Sequence, residues 1–230
     1  MSDFIQSSAY FGIILSLGCY WIGTFLKKRF KSAVFNPLLI AVVLCCIFLL
    51  VFRIDYESYN ASAKYLSYLL TPATICLALP LYLQLEKLRK NLPAILCSLA
   101  AGAVSSMGSV LLLSMLFGLS HQEYVTFIPK SITTAIGMDV SRELGGIVPV
   151  TVAVIILTGI FGNAAGELVL RLFRITEPMA KGLAIGAASH AIGTAKAMEL
   201  GEVEGAMSSL AIVISGLITV AAASFFAMLY

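Results

Sequence analysis

Six stretches of this chain contain no charged side chain: 4–26, 32–52, 65–85, 91–122, 144–166 and 205–230, each at least 20 residues long. About 20 apolar residues in a helix cross a hydrocarbon core of about 30 Å. Only helices and closed barrels can present their backbone to lipid, and these runs lack the period-two alternation of barrel strands. The pattern predicts an all-α integral membrane protein with about six transmembrane helices. Composition agrees: 60% of residues are hydrophobic and only 12% are charged, against about 25% charged in a soluble domain. A soluble enzyme, a nucleic-acid binder and a disordered chain are excluded. The net charge of +3 is too small to select a polyanionic partner, so the basic residues matter for their placement.

That placement is ordered. Asp3 precedes the first run, and Lys27, Lys28, Arg29 and Lys31 follow it. A cleaved signal peptide carries its positive charge ahead of the apolar core, so this run reads as a spanning helix with its N-terminus outside. The basic excess in loops 27–31, 86–90 and 171–181 assigns them to the cytoplasm. Segments 53–64 and 121–146, where acids match or outnumber bases, fall outside. The alternation places both termini outside. Cys19, Cys45, Cys46, Cys76 and Cys97 all lie in apolar runs without CxxC spacing, so they read as small core residues rather than disulfides or metal ligands.

Two regions do not fit plain spans. His121 to Gly146 is too apolar for an exposed loop and is split by Pro129, after which SITTAIGMDVSREL reads as a helix. Ser131 is its expected N-cap and Gly145-Gly146 its stop. Gly182 to Glu204 breaks at Ser189-His190, and AIGTAKAMEL then forms a second short helix stopped by Gly201. Both short helices end in Glu-Leu-Gly, at Glu143-Leu144-Gly145 and Glu199-Leu200-Gly201, and a spanning run follows each. Those runs also match, Leu157-Thr158-Gly159 against Ile214-Ser215-Gly216. The charge pattern sends them across in opposite directions, which makes an inverted repeat, and transporters commonly place their substrate where such repeats meet. About 12 helical residues span about 18 Å, half a bilayer, so each region is expected to be a re-entrant hairpin with a polar tip near the midplane. The expected organisation is a single transmembrane domain over 1–230. It has four helices in 1–120, then two units of hairpin plus helix, 121–172 and 182–230.

The tips carry the chemistry. Lys130 follows Pro129, and Ser131, Thr133 and Thr134 add hydroxyls beside a helix N-terminus. Together these residues would form an anion site. An ordinary external loop is the other reading of Lys130. Ser189, His190 and Thr194 are the corresponding substrate-binding candidates on the second tip. Two roles are open to His190: a proton-coupling group or a ring satisfied by the backbone. Lys196 can touch substrate or snorkel to the interface. Asp139 and Arg142 form, with Glu143, an interfacial cluster or gate, and Thr71 lies in a Thr-Pro interruption of the third run that kinks the helix for coupling or for packing alone. The spacings Gly162-Asn163-Ala164-Ala165-Gly166 and Gly182 to Gly186 permit close helix contact, and Asn163 reads as making an interhelical hydrogen bond rather than binding substrate. Ser189 and His190 are no nucleophile–base pair, because neighbours on a helix point about 100° apart, and no HExxH, Walker A or GxSxG motif occurs. No catalytic residue, cofactor or metal is expected.

Several stretches carry a family resemblance: Asn36-Pro37-Leu38-Leu39, TPATICLALPLY at 71–82, PKSITTAIGM at 129–138, GGI at 145–147, ILTGIFG at 156–162 and GAASHAIGTAKAMELGEVEGAMSSLA at 186–211. In these the sequence resembles the LrgB/CidB family of bacterial membrane proteins. Ala135 stands where a proline is common, and Gly137 where alanine is common. The resemblance implies a multi-pass protein of the bacterial cytoplasmic (inner) membrane, oligomeric, with a small partner of the LrgA/CidA type and no nucleic acid. It implies two roles: transport of a small carboxylate such as pyruvate or glycolate, or holin/antiholin-type regulation of murein hydrolases and autolysis. The re-entrant anion site favours transport, since a pore former needs none.

The charge alternation makes a direct prediction. Single cysteines placed in loop 27–31 should react with a membrane-impermeant thiol reagent only from the cytoplasmic side, and cysteines near either terminus only from outside.

Overall fold

The computed structural model describes residues 10–30, 37–69, 72, 75–76 and 78–230. The described residues are helical without strands, and the chain divides into two compact units, 1–76 and 77–230.

In the first unit, α1 (Phe11–Phe30) ends on Lys27, Lys28 and Arg29, and α2 (Pro37–Val51) is uniformly apolar. The polar α3 (Tyr56–Ser67) is capped by Asp55, which accepts from the Ser58 amide at 2.9 Å. The Ser58 hydrogen bonds hold the Asp55 carboxyl below its usual range. α1 meets α3 where Gly12 lets the Ser62 hydroxyl reach its own amide at 2.7 Å. That contact satisfies one of the orphan donors of the first helical turn.

The second unit holds α4 (Ala78–Leu83), α5 (Leu85–Lys90), α6 (Leu92–Phe117), α7 (His121–Phe127), α8 (Thr134–Glu143), α9 (Val148–Leu172), α10 (Pro178–Leu200) and α11 (Glu202–Ala227). Among the described residues three helices, α6, α9 and α11, are long and apolar enough to cross a membrane, with α2 a shorter apolar helix of 15 residues. Expected spans at 91–122, 144–166 and 205–230 are therefore continuous helices of full length. The expected span at 65–85 is not one helix among the described residues: α3 ends at Ser67 and α4 begins at Ala78. Thr71, Ala73 and Thr74, the core of its Thr-Pro interruption, lie outside the described residues. The most enclosed of the three long helices is α11, with 44% of its apolar window buried against 28% for α6 and 22% for α9, and α6, α8 and α10 pack against it.

Both interrupted regions fold back on themselves. In the first, α7 opens with a capping box between Ser120 and Glu123, and the chain turns at Pro129 to Thr133. α8 then closes in a Schellman arrangement, the Gly146 amide donating to Ser141 at 2.7 Å and Gly145 to Arg142 at 3.2 Å, with Gly145 at φ 80°. The N-cap of α8 is Thr133, not the expected Ser131. Ser131 still belongs to the turn, and its hydroxyl is engaged by Lys130 and Ser106. In the second, α10 is broken at His190 (φ 41°, ψ −139°). A Cβ on Gly193 would lie 3.1 Å from the Ile185 carbonyl, whereas eight residues of unbroken helix would separate them by about 12 Å. The two arms of α10 therefore lie side by side.

The hairpins enter from opposite ends. Along α9, the first touches the N-terminal half, through Thr126 to Thr151 at 3.0 Å. The second touches the C-terminal half, through Asn163 to Ile192 at 2.8 Å and Lys196 to Glu167 at 3.2 Å. Along α11 the order reverses: Thr194 meets Ser208 at 2.7 Å near its start, and Tyr124 meets the Phe226 carbonyl at 2.7 Å near its end. The sequence repeat reappears as paired contacts. Cβ atoms on Gly159 and Gly216 would sit 2.9 Å from Ile192 and 3.4 Å from Ile136 respectively. Each unit's spanning helix thus receives the other unit's hairpin at the matching glycine.

The spacing from Gly182 to Gly186 is used for close approach. A Cβ on Gly186 would overlap the Ser208 carbonyl oxygen and lie 2.8 Å from Ala211 Cβ, both held by the α11 backbone. Gly186→Val should therefore lower the thermal stability of the purified protein by at least the ~1–3 kcal/mol typical of overpacking. Gly108→Ala, with open space around the added methyl, should leave the melting temperature unchanged or higher.

Candidate anion site

Pro129 is fully buried at the turn of the first hairpin, which carries Lys130 to the middle of α6. Lys130 Nζ donates to Ser106 Oγ and Ser131 Oγ, each at 3.1 Å. The two hydroxyls are 3.0 Å apart. No carboxylate pairs with Lys130 among the described residues. The hydrogen-bond inventory then has a surplus of donors. An ammonium has three N–H groups and two are used; the two serines share one proton between them and keep the other. One N–H and one O–H are left to offer, the complement of a carboxylate's two oxygens.

These donors face a cavity of about 940 Å³ lined by α6, α9, the first arm of α10 and the Lys130–Ser131 turn. Ser189, from the second tip, and Thr158, from α9, line the same space. The lining extends from the tips to one end of the helices, where Asn91, Leu170 and Glu177 border it. Asn91 and Glu177 are the residues immediately before α6 and α10, next to loops that the charge pattern assigns to the cytoplasm. Toward the other end of the helices, away from the lining, Ser141 meets Thr151 at 2.7 Å, and Thr151 donates to the Thr126 carbonyl at 3.0 Å.

Other sequence-selected residues lie elsewhere. Thr133 and Thr134 start α8 and do not line the cavity. Thr194 is fully buried between α10 and α11, donating to the His190 carbonyl at 3.0 Å. His190 is 3% exposed, and its Nε2 lies 3.0 Å from the Ile155 carbonyl. A carbonyl only accepts, so Nε2 carries the proton. Of the two roles open to this ring, the structure displays backbone satisfaction. Lys196 is tied to Glu167 and Glu199, each at 3.2 Å. Asp139 and Arg142 form an exposed pair at 2.7 Å. Thr71 lies outside the described residues. Ser106, central to the site, escaped the sequence reading; the cluster Ser105-Ser106-Ser109 inside an apolar span was its only signal.

A sequence model of the LrgB-like family matches residues 16–229. The chain belongs to the LrgB-like family. Its similar relatives include proteins named antiholin-like protein LrgB from Bacillus mycoides (strain KBAB4), Bacillus cereus (strain B4264) and Bacillus anthracis (strain CDC 684 / NRRL 3495). Each is 42% identical over 212 residues, covering 92% of this chain and 92% of the relative. No solved structure matches. The LrgB-like match includes both hairpins and every element that walls the cavity.

Gly159 is the space into which His190 fits: a Cβ there would be 2.7 Å from the ring. Gly159→Val should push the ring from Ile155 and cost about 1–3 kcal/mol for the buried group left unpaired. Adding His190→Ala should cost less than the two single losses summed, because both remove one bond. Thermal unfolding of the single and double variants measures this.

Proposed function

We propose that this protein carries small carboxylate monoanions across the bacterial cytoplasmic membrane, with Lys130 as the counter-ion. The observation that carries the reading is a lysine at mid-height of α6, held by two hydroxyls, unmatched by any carboxylate among the described residues and open to a cavity. A lysine at such depth costs at least about 2.5 kcal/mol on insertion scales, which a purely structural element has no reason to bear. In this reading the protein has about six spans with both termini outside, and the two hairpins are re-entrant. Broken backbone at membrane depth is tolerated where it is buried in protein or lines water. The first and second tips share one cavity, as expected where inverted repeats meet. Pyruvate and glycolate fit a site that offers two donors to a carboxylate and a further hydroxyl, Ser189, nearby. A small LrgA/CidA-like membrane protein is the proposed partner, in an oligomeric assembly.

The antiholin-like name of the relatives favours a second reading, regulation of murein hydrolases without transport. Uptake separates the two. Proteoliposomes containing the protein, with and without the partner, should accumulate labelled pyruvate or glycolate. Lys130→Gln should weaken apparent affinity roughly 10- to 150-fold, the equivalent of losing one charge-assisted hydrogen bond, at unchanged protein level. Lys196→Gln should have a smaller effect, since Lys196 is held by Glu167 and Glu199 away from the cavity. No uptake by the wild type in either preparation would leave the regulatory reading standing.

A further inference from the structure

The cavity is much larger than a two- or three-carbon acid requires. Its volume of about 940 Å³ lies near the top of the range of about 300–1,000 Å³ for sites that hold drug-sized ligands. Its polarity is also one-sided. Lys130, Ser131, Ser106, Ser189 and Thr158 gather at the tip end. Below them the wall is apolar: Ile95 and Leu99 on α6, Ala165 and Val169 on α9, Ala180 and Ala184 on α10. Two serines in the wall add no free donor, because Ser98 donates to the Ile95 carbonyl at 2.8 Å and Ser109 to the Ser106 carbonyl at 2.7 Å. From Ser106 to Ile95 the wall extends about 16 Å along the helix. At the mouth stands Glu177, whose negative charge opposes a second carboxylate there.

We propose that this cavity is a binding site for monocarboxylates bearing an apolar tail, with the carboxylate on Lys130 and the tail lying along α6 and the first arm of α10 toward the mouth. The inference rests on the reading of Lys130 as an anion partner and adds a ligand class to it. A single cation at the end of an apolar trough selects for one charge at one end of the ligand. Burial of the tail supplies the affinity, and Glu177 disfavours dicarboxylates of the same length. Such acids act as ligands from the cytoplasmic side, and they compete with small substrates because both need the same two donors.

The test is equilibrium binding of acetate, butyrate, hexanoate and octanoate to the protein in phosphatidylcholine nanodiscs, measured by calorimetry. Each added methylene should tighten binding about fourfold, and Lys130→Gln should weaken every member of the series roughly 10- to 150-fold. Hexanamide and octanamide, which enter the bilayer but carry no charge, should not bind. Ala184→Trp fills the tail path and should flatten the dependence on chain length while butyrate still binds. Ala180→Trp, nearer the mouth, serves if the first variant does not fold. Affinity independent of chain length in the wild type overturns the proposal. So does an equal slope in both the wild type and a folded tryptophan variant, which would place the tail in lipid. Displacement of octanoate by phosphatidylglycerol at Lys130 would assign the site to an anionic lipid instead and also overturn it. The two readings fail separately. Lys130-dependent octanoate binding without pyruvate uptake supports the site and removes the transporter. Lys130-dependent pyruvate uptake with no octanoate binding removes the tail site alone.

Discussion

A helix that stops halfway through an apolar body leaves amide and carbonyl groups without partners, and in hydrocarbon each unpaired group costs several kcal/mol. The second unit of this protein depends on how those groups are satisfied. The Thr126 hydroxyl accepts from the Ile147 amide at 2.8 Å, and Thr151 donates to the Thr126 carbonyl. The His190 ring donates to Ile155, and Asn163 to Ile192. In these contacts a helix meets a hairpin arm through a side chain of one and the backbone of the other. Glycines at 137, 146, 159 and 162 make room for the approach, since a Cβ at any of them would strike the facing hairpin or helix.

Ion pairs play a lesser part. Asp139–Arg142 and Arg171–Glu167 involve largely exposed partners, and such pairs contribute about 0–1 kcal/mol each. The hairpins are held mainly by packing and neutral hydrogen bonds, with one partly buried ion pair, Lys196–Glu167 at 3.2 Å, tying the second to α9. Lys130 stands apart from these pairs. It is placed by the first tip beside hydroxyls alone, and Ser189 of the second tip lines the same space.

The interruptions were legible in the sequence because proline, glycine and polar residues leave a mark inside an apolar run. Pro129, Ser189-His190, Gly145-Gly146 and Gly201 all lie at real breaks or ends. Gly159 and Gly216, matched in the sequence reading, each face an isoleucine of a hairpin, Ile192 and Ile136. Side-chain direction was not. Thr133, Thr134 and Thr194 share the composition of a polar tip, yet Thr194 points at Ser208 on α11 and the other two begin a helix. Ser131 looked like a cap because it follows a proline, but its hydroxyl serves Lys130. Ser106 sits on a different helix 24 residues before Lys130, and no local pattern links them. His190 carried two readings because a titratable ring and a structural donor are the same residue type; only the carbonyl opposite it decides.

An ammonium without a fixed counter-ion gives the site a different net charge when empty and when full. With a monocarboxylate bound, the pair is neutral; without it, one positive charge remains at mid-height of the helices. A transmembrane voltage acts on charge, at about 2.3 kcal/mol per elementary charge per 100 mV across the full bilayer. In a carrier built this way, the loaded form would cross the electric field almost unopposed, and the field would act on the empty form. A cell interior that is negative would then hold the vacant site toward the cytoplasm.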